Sequence, residues 1–341
     1  MKNIKKIGLT ALAGSLIATS AFAGSMSVSG SAGINWENYS TGSLGVNDTS
    51  LASDSTKAFS MGNQLTFSGS GELDNGLSVS LSFVLDQNDD STAAGAAYSG
   101  GPFDGHSVTV SSDAMGSLVY YGEGGDSAQN AVGDTAAGNI WDNFDSAATV
   151  LKESGMSTNS MHYTLPSIID GVTLSASYSP NKGQDEADTA MALVYTGVEG
   201  LTVSLGKGSS DGDAAGTASL SDANADTTSM KVSYAYGPVT VAYSDHEHDA
   251  SKADGTNDQD ATSFKLSYTV SDALSLSYAE EEIDSKASAS NVDAEYSKVV
   301  ASYTSGGMTV SANYQEADNI DFSTSDLQDK EYYGLSLSFA F

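Results

Sequence analysis

Residues 332–341 read YYGLSLSFAF, and the reading of this stretch decides the fold. Tyr333, Leu335, Leu337, Phe339 and Phe341 take every second position, with Gly334, Ser336, Ser338 and Ala340 between them. Side chains of an extended strand alternate between its faces, so one face here is continuously apolar and the other small and polar. The apolar face has to lie against a packed core or against lipid. The sequence stops directly after an aromatic ring, which is a rare ending for a strand in a soluble sandwich.

The same alternation recurs upstream. The first strand, about 25–39, sets Met26, Val28, Ile34 and Trp36 against Ser27, Ser29, Ser31, Asn35 and Glu37. The second sets Leu65, Phe67 and Leu73 against Gln64, Thr66, Ser68 and Ser70, and Asp74-Asn75-Gly76 then supplies a tight hairpin turn. The third strand, opening at Leu77, is followed by segments near 107–112 and 117–122, 159–165 and 172–179, 189–196 and 201–206. Further pairs fall near 228–236 and 239–245, 261–270 and 274–281, 296–304 and 308–315, before the closing strand. Sixteen strands are expected, and one misread hairpin would make 14 or 18. Seven short turns alternate with eight longer polar connections, the layout of a transmembrane barrel with short turns at one end and loops at the other. Sixteen strands enclose a water-filled channel, whereas eight are packed shut by side chains.

Composition narrows the class. Residues 1–23 carry Lys2, Lys5 and Lys6, then an apolar run, then Ala21-Phe22-Ala23, and are expected to be a secretory signal peptide, with a barrel domain over 24–341. No apolar run reaches the length of a spanning helix. All 13 basic residues are lysine against 44 acidic ones. Removing the three signal lysines leaves 10 − 44 = −34, a charge that argues against a nucleic-acid partner. There is no cysteine and so no disulfide framework. The polar faces are built mainly of Ser, Thr, Ala and Gly, as at Thr173, Ser175 and Ser177 or Ser275 and Ser277. A face turned to bulk solvent usually carries long charged side chains, whereas small hydroxyls keep an interior open. Tyr178, Tyr195, Tyr234, Tyr236, Tyr243, Tyr278, Tyr303 and Tyr314 lie near strand ends, the level at which tyrosine marks a membrane interface.

The closing stretch resembles the last strand of bacterial outer-membrane barrels, whose assembly machinery reads a terminal Phe after alternating apolar residues. That resemblance makes Phe341 and Phe339 the assembly signal. The longest connection, about 123–157, holds Ile140, Trp141, Phe144 and Val150 at spacings suited to one or two helical turns. Its place after the fifth strand resembles the third loop of Gram-negative general porins, with the chain nearest the alphaproteobacterial branch. The resemblance implies an all-β, 16-stranded antiparallel transmembrane barrel with an inward-folded third loop, in the outer membrane. It further implies passive diffusion of ions and small hydrophilic solutes, a homotrimer, and contact with outer-membrane lipid and lipopolysaccharide. On that basis Asp134, Asp142, Asp145 and Glu153 are candidates for the acidic side of a constriction. General porins oppose this loop with arginines, and this chain has none.

Spacing adds a separate expectation. Lys231, Lys265 and Lys298 each fall on a lumen-facing position, and each precedes the last residue of its strand's apolar face by five positions. They are expected as a basic row at similar depth, across the pore from the third loop. With the mature charge near −34, cations are the expected preference. No enzyme motif is present and no cofactor is expected. The acidic connections 86–90 and 254–260 could hold calcium loosely, and Asp245-His246-Glu247-His248-Asp249 is read as a solvated strand end rather than a metal site. Two rivals remain: a solute-specific channel, for which Tyr121 and Tyr332 are the binding-track candidates, and a secreted structural or adhesive β-protein.

Overall fold

The computed structural model describes residues 24–41, 58–86, 104–144, 156–180, 187–210, 225–250, 258–285, 292–322, 324 and 329–341. The stretch read as a signal peptide lies outside them. Sixteen strands follow one another: β1 (Ser25–Thr41), β2 (Ala58–Glu72), β3 (Ser78–Asp86), β4 (Gly105–Ser112), β5 (Gly116–Glu123), β6 (Thr158–Thr164), β7 (Val172–Pro180) and β8 (Ala187–Val198). They continue as β9 (Leu201–Ser210), β10 (Ala225–Tyr236), β11 (Val239–Asp249), β12 (Gln259–Thr269), β13 (Leu274–Ser285), β14 (Ala294–Ser305), β15 (Met308–Asp318) and β16 (Lys330–Ala340). Each pairs antiparallel with its neighbours in sequence, and β1 pairs with β16 to close the barrel.

Closure involves the last residue of the chain. The Phe341 N–H donates to the Gly30 carbonyl at 3.0 Å, and the Gly30 N–H donates back to the Phe341 carbonyl at 2.8 Å. A Cβ on Gly30 would stand 2.7 Å from the Phe341 ring and 2.8 Å from Leu65, so the ring lies over a position only glycine leaves free. The seven short turns all fall at this end of the barrel.

The outer face is apolar to a degree no water-soluble monomer of this size tolerates: Phe59 is 79% exposed, Tyr236 76%, Phe341 73% and Met26 69%. Through the apolar band the face alternates with inward residues that are mostly small and polar. Along β16, Tyr333 to Phe341 spans roughly 26 Å, about 20 Å of it along the axis at a 40° tilt, which covers most of the roughly 25 Å apolar band of an outer-membrane barrel.

Toward the loop end the polarity of the two faces inverts. On β13 the outward residues become Glu280, Glu282 and Asp284 while Ala279 and Ile283 point inward and are buried. β14, β15 and β16 do the same, with Glu295, Glu316, Asp318 and Glu331 outward and Ala294, Tyr296, Ala317 and Tyr332 inward. The level of the switch is marked by outward tyrosines, each bonded to a carboxylate two residues along its own strand. Tyr278 donates to Glu280 at 2.6 Å, Tyr314 to Glu316 at 2.6 Å and Tyr333 to Glu331 at 2.9 Å. Strand register sets Tyr278, Val299, Tyr314 and Tyr333 side by side. A ring in hydrocarbon with its hydroxyl on a carboxylate defines an interface. The apolar alternation therefore stops short of the strand ends: β8, β10, β11, β13 and β16 all extend two to four residues farther toward the loop end than that alternation suggests.

Candidate functional site

The inner wall is tiled by hydroxyls, and the connection after β5 uses them. Its described part, residues 124–144, contains 3-10 turns at Ala128–Ala131 and Ile140–Phe144. A non-repetitive segment has backbone N–H groups without partners of its own, and those groups must find acceptors wherever the segment is buried. Here the wall supplies them. Ala128 N–H donates to Ser177 Oγ at 2.8 Å, Ala136 N–H to Ser244 Oγ at 2.8 Å and Ala137 N–H to Ser263 Oγ at 3.2 Å. Gln129, fully buried, donates to Ser229 at 3.0 Å and accepts from Thr227 at 2.8 Å. A Cβ on Gly206 of β9 would stand 2.7 Å from Gln129 Cγ and 3.0 Å from Val132, so the wall is stripped to glycine where the segment presses closest.

These partners lie in succession on β7, β9, β10, β11 and β12, always on the face alternate to the apolar one. The segment thus runs along the interior. It ends in an apolar socket formed by the inverted inner face of the loop end: Ile140 and Phe144 are buried with Ala261, Ala279, Ile283, Tyr296 and Tyr332. Phe144 sits 5.9 Å from the Tyr296 ring and 6.5 Å, edge-on, from Tyr332.

Glu281 is the bracket between the two halves. This inward carboxylate of β13, 2% exposed, accepts from the Thr135 hydroxyl and from the Trp141 N–H at 3.0 Å. Thr135 Oγ1 in turn accepts from the N–H groups of Gly138 at 3.2 Å and Asn139 at 2.9 Å, which holds the turn closed. Asn139 takes a positive φ of 48°, and its side chain bonds Asp134 at 3.0 Å. Glu281 was not among the sequence candidates. Its signal was the triplet Glu280-Glu281-Glu282, whose middle member must face opposite to its neighbours.

Of the acidic candidates, Asp134 and Asp142 are exposed on this segment, while Asp145 and Glu153 lie outside the described residues. Lys231, Lys265 and Lys298 all occupy inward positions. Lys265 and Lys298 are level, both in register with Ala279; Lys231 is one inward step nearer the loop end, in register with Ser244 and Ser263. The expectation that the lysines stand across the pore from the loop is corrected. They lie on the loop's own wall, just beneath it toward the short turns, and Lys231 Nζ donates to the Asp134 carbonyl at 2.8 Å. The reason is local: the serines that hold the loop sit one inward step above the lysines, as Ser229 above Lys231 and Ser263 above Lys265.

Two further readings change. His246 and His248 are each 1% exposed on the inner face of β11, not solvated, because β11 runs on to Asp249 and carries them inside the wall. Among the described residues no three His, Cys, Asp or Glu side chains converge on a metal-sized site. Tyr332, offered for a solute track, is packed against Tyr39 at 5.0 Å and against Phe144, and is part of the socket that seats the loop. Tyr121 remains half-buried on β5. The acidic connections considered for calcium lie mostly outside the described residues; Asp258 accepts from the Ala250 N–H at 3.0 Å. Phe341 and Phe339 are both on the outward face.

Sixteen strands about 4.8 Å apart, tilted about 40°, give a backbone diameter of about 32 Å and a clear bore of roughly 20 Å once wall side chains are allowed for. A backbone segment along one side narrows that to about 10 Å.

Residues 8–341 match the family model described as Gram-negative porin. No curated protein matches the sequence. Similar solved structures include an anion-selective porin from Comamonas acidovorans, 15% identical with a TM-score of 0.68, covering 93% of this chain and 100% of that one. Another is a Salmonella typhi OmpF complex with daunomycin, 14% identical with a TM-score of 0.66, over 93% and 97%. A refined porin structure is 22% identical, TM-score 0.62, over 93% and 100%.

Proposed function

The chain belongs to the Gram-negative porin family, a family of outer-membrane channels rather than enzymes, and from that premise we propose that it is a general diffusion channel with a preference for cations. Ions and small hydrophilic solutes pass down their own gradients, limited by size where residues 124–144 narrow the bore. The observation that carries this reading is the loop laid along a hydroxyl-lined wall through its own backbone N–H groups, which constricts a wide barrel without needing a ligand. Cation preference follows from the mature charge of −34 and from Asp134 and Asp142 on the loop's exposed side. The burial of Tyr332 weighs against a solute-specific track.

The channel works as a homotrimer in contact with lipopolysaccharide, delivered by the barrel-assembly machinery. In support of self-association, the outward face of β1–β3 presents Met26, Val28, Ile34, Trp36, Phe59 and Met61 and, among the described residues, none of the tyrosine–carboxylate pairs of β13–β16. Single-channel recordings in a potassium chloride gradient test the proposal. A nonselective or anion-selective reversal potential would remove the cation preference, and an absence of conductance would remove the channel.

A further inference from the structure

Directly beneath the loop, on its short-turn side, a cavity of about 400 Å³ opens on the inner wall of β12–β15. Gly138 of the loop contributes to its roof; Lys265, Lys298, Ser267, Ser277 and Asn313 line it. No carboxylate does. In a mature chain of net charge −34, a lumenal recess with two ammonium groups and no acid is a reversal of the surrounding field. Among the described residues neither Lys265 nor Lys298 has a hydrogen-bond or salt-bridge partner. The nearest inward carboxylate on this wall, Glu281, bonds Thr135 and Trp141 above the recess and attracts Lys298 without an ion-pair contact, so Lys265 keeps its full charge for the recess. The Asn313 carbonyl oxygen is occupied by Gln315 Nε2 at 2.8 Å, which leaves the Asn313 amide N–H groups to donate.

We propose that this recess is a binding subsite for a small oxyanion of the phosphate class, inorganic phosphate or a phosphate monoester. Ammonium groups act as point charges toward phosphate oxygens, without the planar two-pronged geometry that arginine offers a carboxylate. Two of them, with serine hydroxyls and an amide on several sides, suit a tetrahedral anion that accepts from several directions. The volume admits the anion with a short organic group or with its waters. Its place just beneath the constriction, toward the short-turn end, makes it a station that holds an anion briefly next to the narrowest level of a pore otherwise biased toward cations. Weak affinity is required there, because a transported solute must leave.

The inference deepens the channel reading and rests on it, and one experiment separates the two. Purified full-length protein is inserted in planar bilayers in potassium chloride, where absence of conductance would count against the channel itself. Sodium phosphate or glycerol phosphate is then titrated at constant ionic strength. A saturable fall in current, half-complete at roughly millimolar concentration, is expected with both, and no such fall with glycerol. Lys265→Gln together with Lys298→Gln should move the half-effect at least tenfold higher, while Lys207→Gln, on the outward face, leaves it unchanged. An unsaturable response in the unmodified protein, or the same curve in the double variant, overturns the subsite. Equal saturation by malonate overturns its assignment to the phosphate class. If the double variant does not insert, Lys298→Gln alone gives the same reading.

Discussion

Glu281→Gln tests the loop-bracket argument most directly. The native carboxylate accepts from the Thr135 hydroxyl on one oxygen and from the Trp141 N–H on the other. Glutamine offers one oxygen and an NH2 in nearly the same volume. If its oxygen stays on Trp141, its NH2 meets Thr135 Oγ1, which already accepts from Gly138 and Asn139, and the Thr135 proton is left with nothing to bond. Losing one buried partner costs about 1–3 kcal/mol, which multiplies the detached-loop population by about 5 to 150. Detachment returns the bore from about 10 to roughly 20 Å, so a detached channel conducts up to about four times the closed-loop current. Single-channel traces of Glu281→Gln should therefore show frequent brief high-current excursions at voltages where the unmodified channel is quiet. The two tryptophans are Trp36, on the lipid face, and Trp141, so a Trp36→Phe background isolates the loop. Acrylamide should quench Trp141 more in the Glu281→Gln variant. Identical noise and identical quenching would refute the assignment of Glu281 as the loop's bracket.

Three other perturbations follow from the same geometry. Replacing Lys231, Lys265 and Lys298 together by Gln should raise the cation-to-anion permeability ratio. Charges about 10 Å apart interact by roughly 0.4 kcal/mol in water and about 1.7 at an effective dielectric of 20, a factor of about two to twenty. An unchanged reversal potential would remove the lysines from selectivity. Gly206→Val puts a branched side chain where Gln129 Cγ lies and should break the Gln129 bonds to Thr227 and Ser229, making residues 124–144 sensitive to protease in the folded barrel. Protection equal to the native protein would contradict it. Phe341→Ala should slow barrel assembly, read as the rate at which the heat-modifiable folded form appears on gels, because the Phe341 ring covers Gly30 at the closing seam. Native kinetics would sink that role.

The sheet was legible because its signal is periodic and long. Once lipid lies on one side and water on the other, a one-residue slip would invert every side chain, so the alternation carries the register with it. The strands beyond the bilayer were less legible, since there the outward face turns acidic and the inward face apolar. Glu295, Tyr296, Ala317 and Tyr332 all break the alternation for that reason. The loop's tether was partly legible: Trp141 and Phe144 announced a buried segment, but which wall would receive them depended on serines spread from Ser177 to Ser263. Those serines look alike in sequence, and only the closed barrel sorts those that bond the loop from those that line water. The lysine parity could be counted from one strand; their relation to the loop could not.

The arrangement has a consequence for how the pore handles charge. A loop with acids facing a wall of bases would set a field across the bore. Here Asp134 and Asp142 ride on the loop, and Lys265 lies one inward step, about 7 Å along the strand, below the serine that holds it. The lysines also share their wall with the loop. Opposite charges are therefore stacked along the axis rather than across it, and a cation meets attraction before repulsion from one side and the reverse from the other. Each interaction amounts to about 0.4 to 1.7 kcal/mol at such separations, too weak to exclude either sign yet large enough to make current depend on direction. Modest rectification in symmetric salt is the expected signature, diminishing as rising ionic strength shortens the screening length toward 3 Å at 1 M. A transverse field would instead give selectivity without rectification, so a linear current–voltage curve at low salt would reject the axial arrangement.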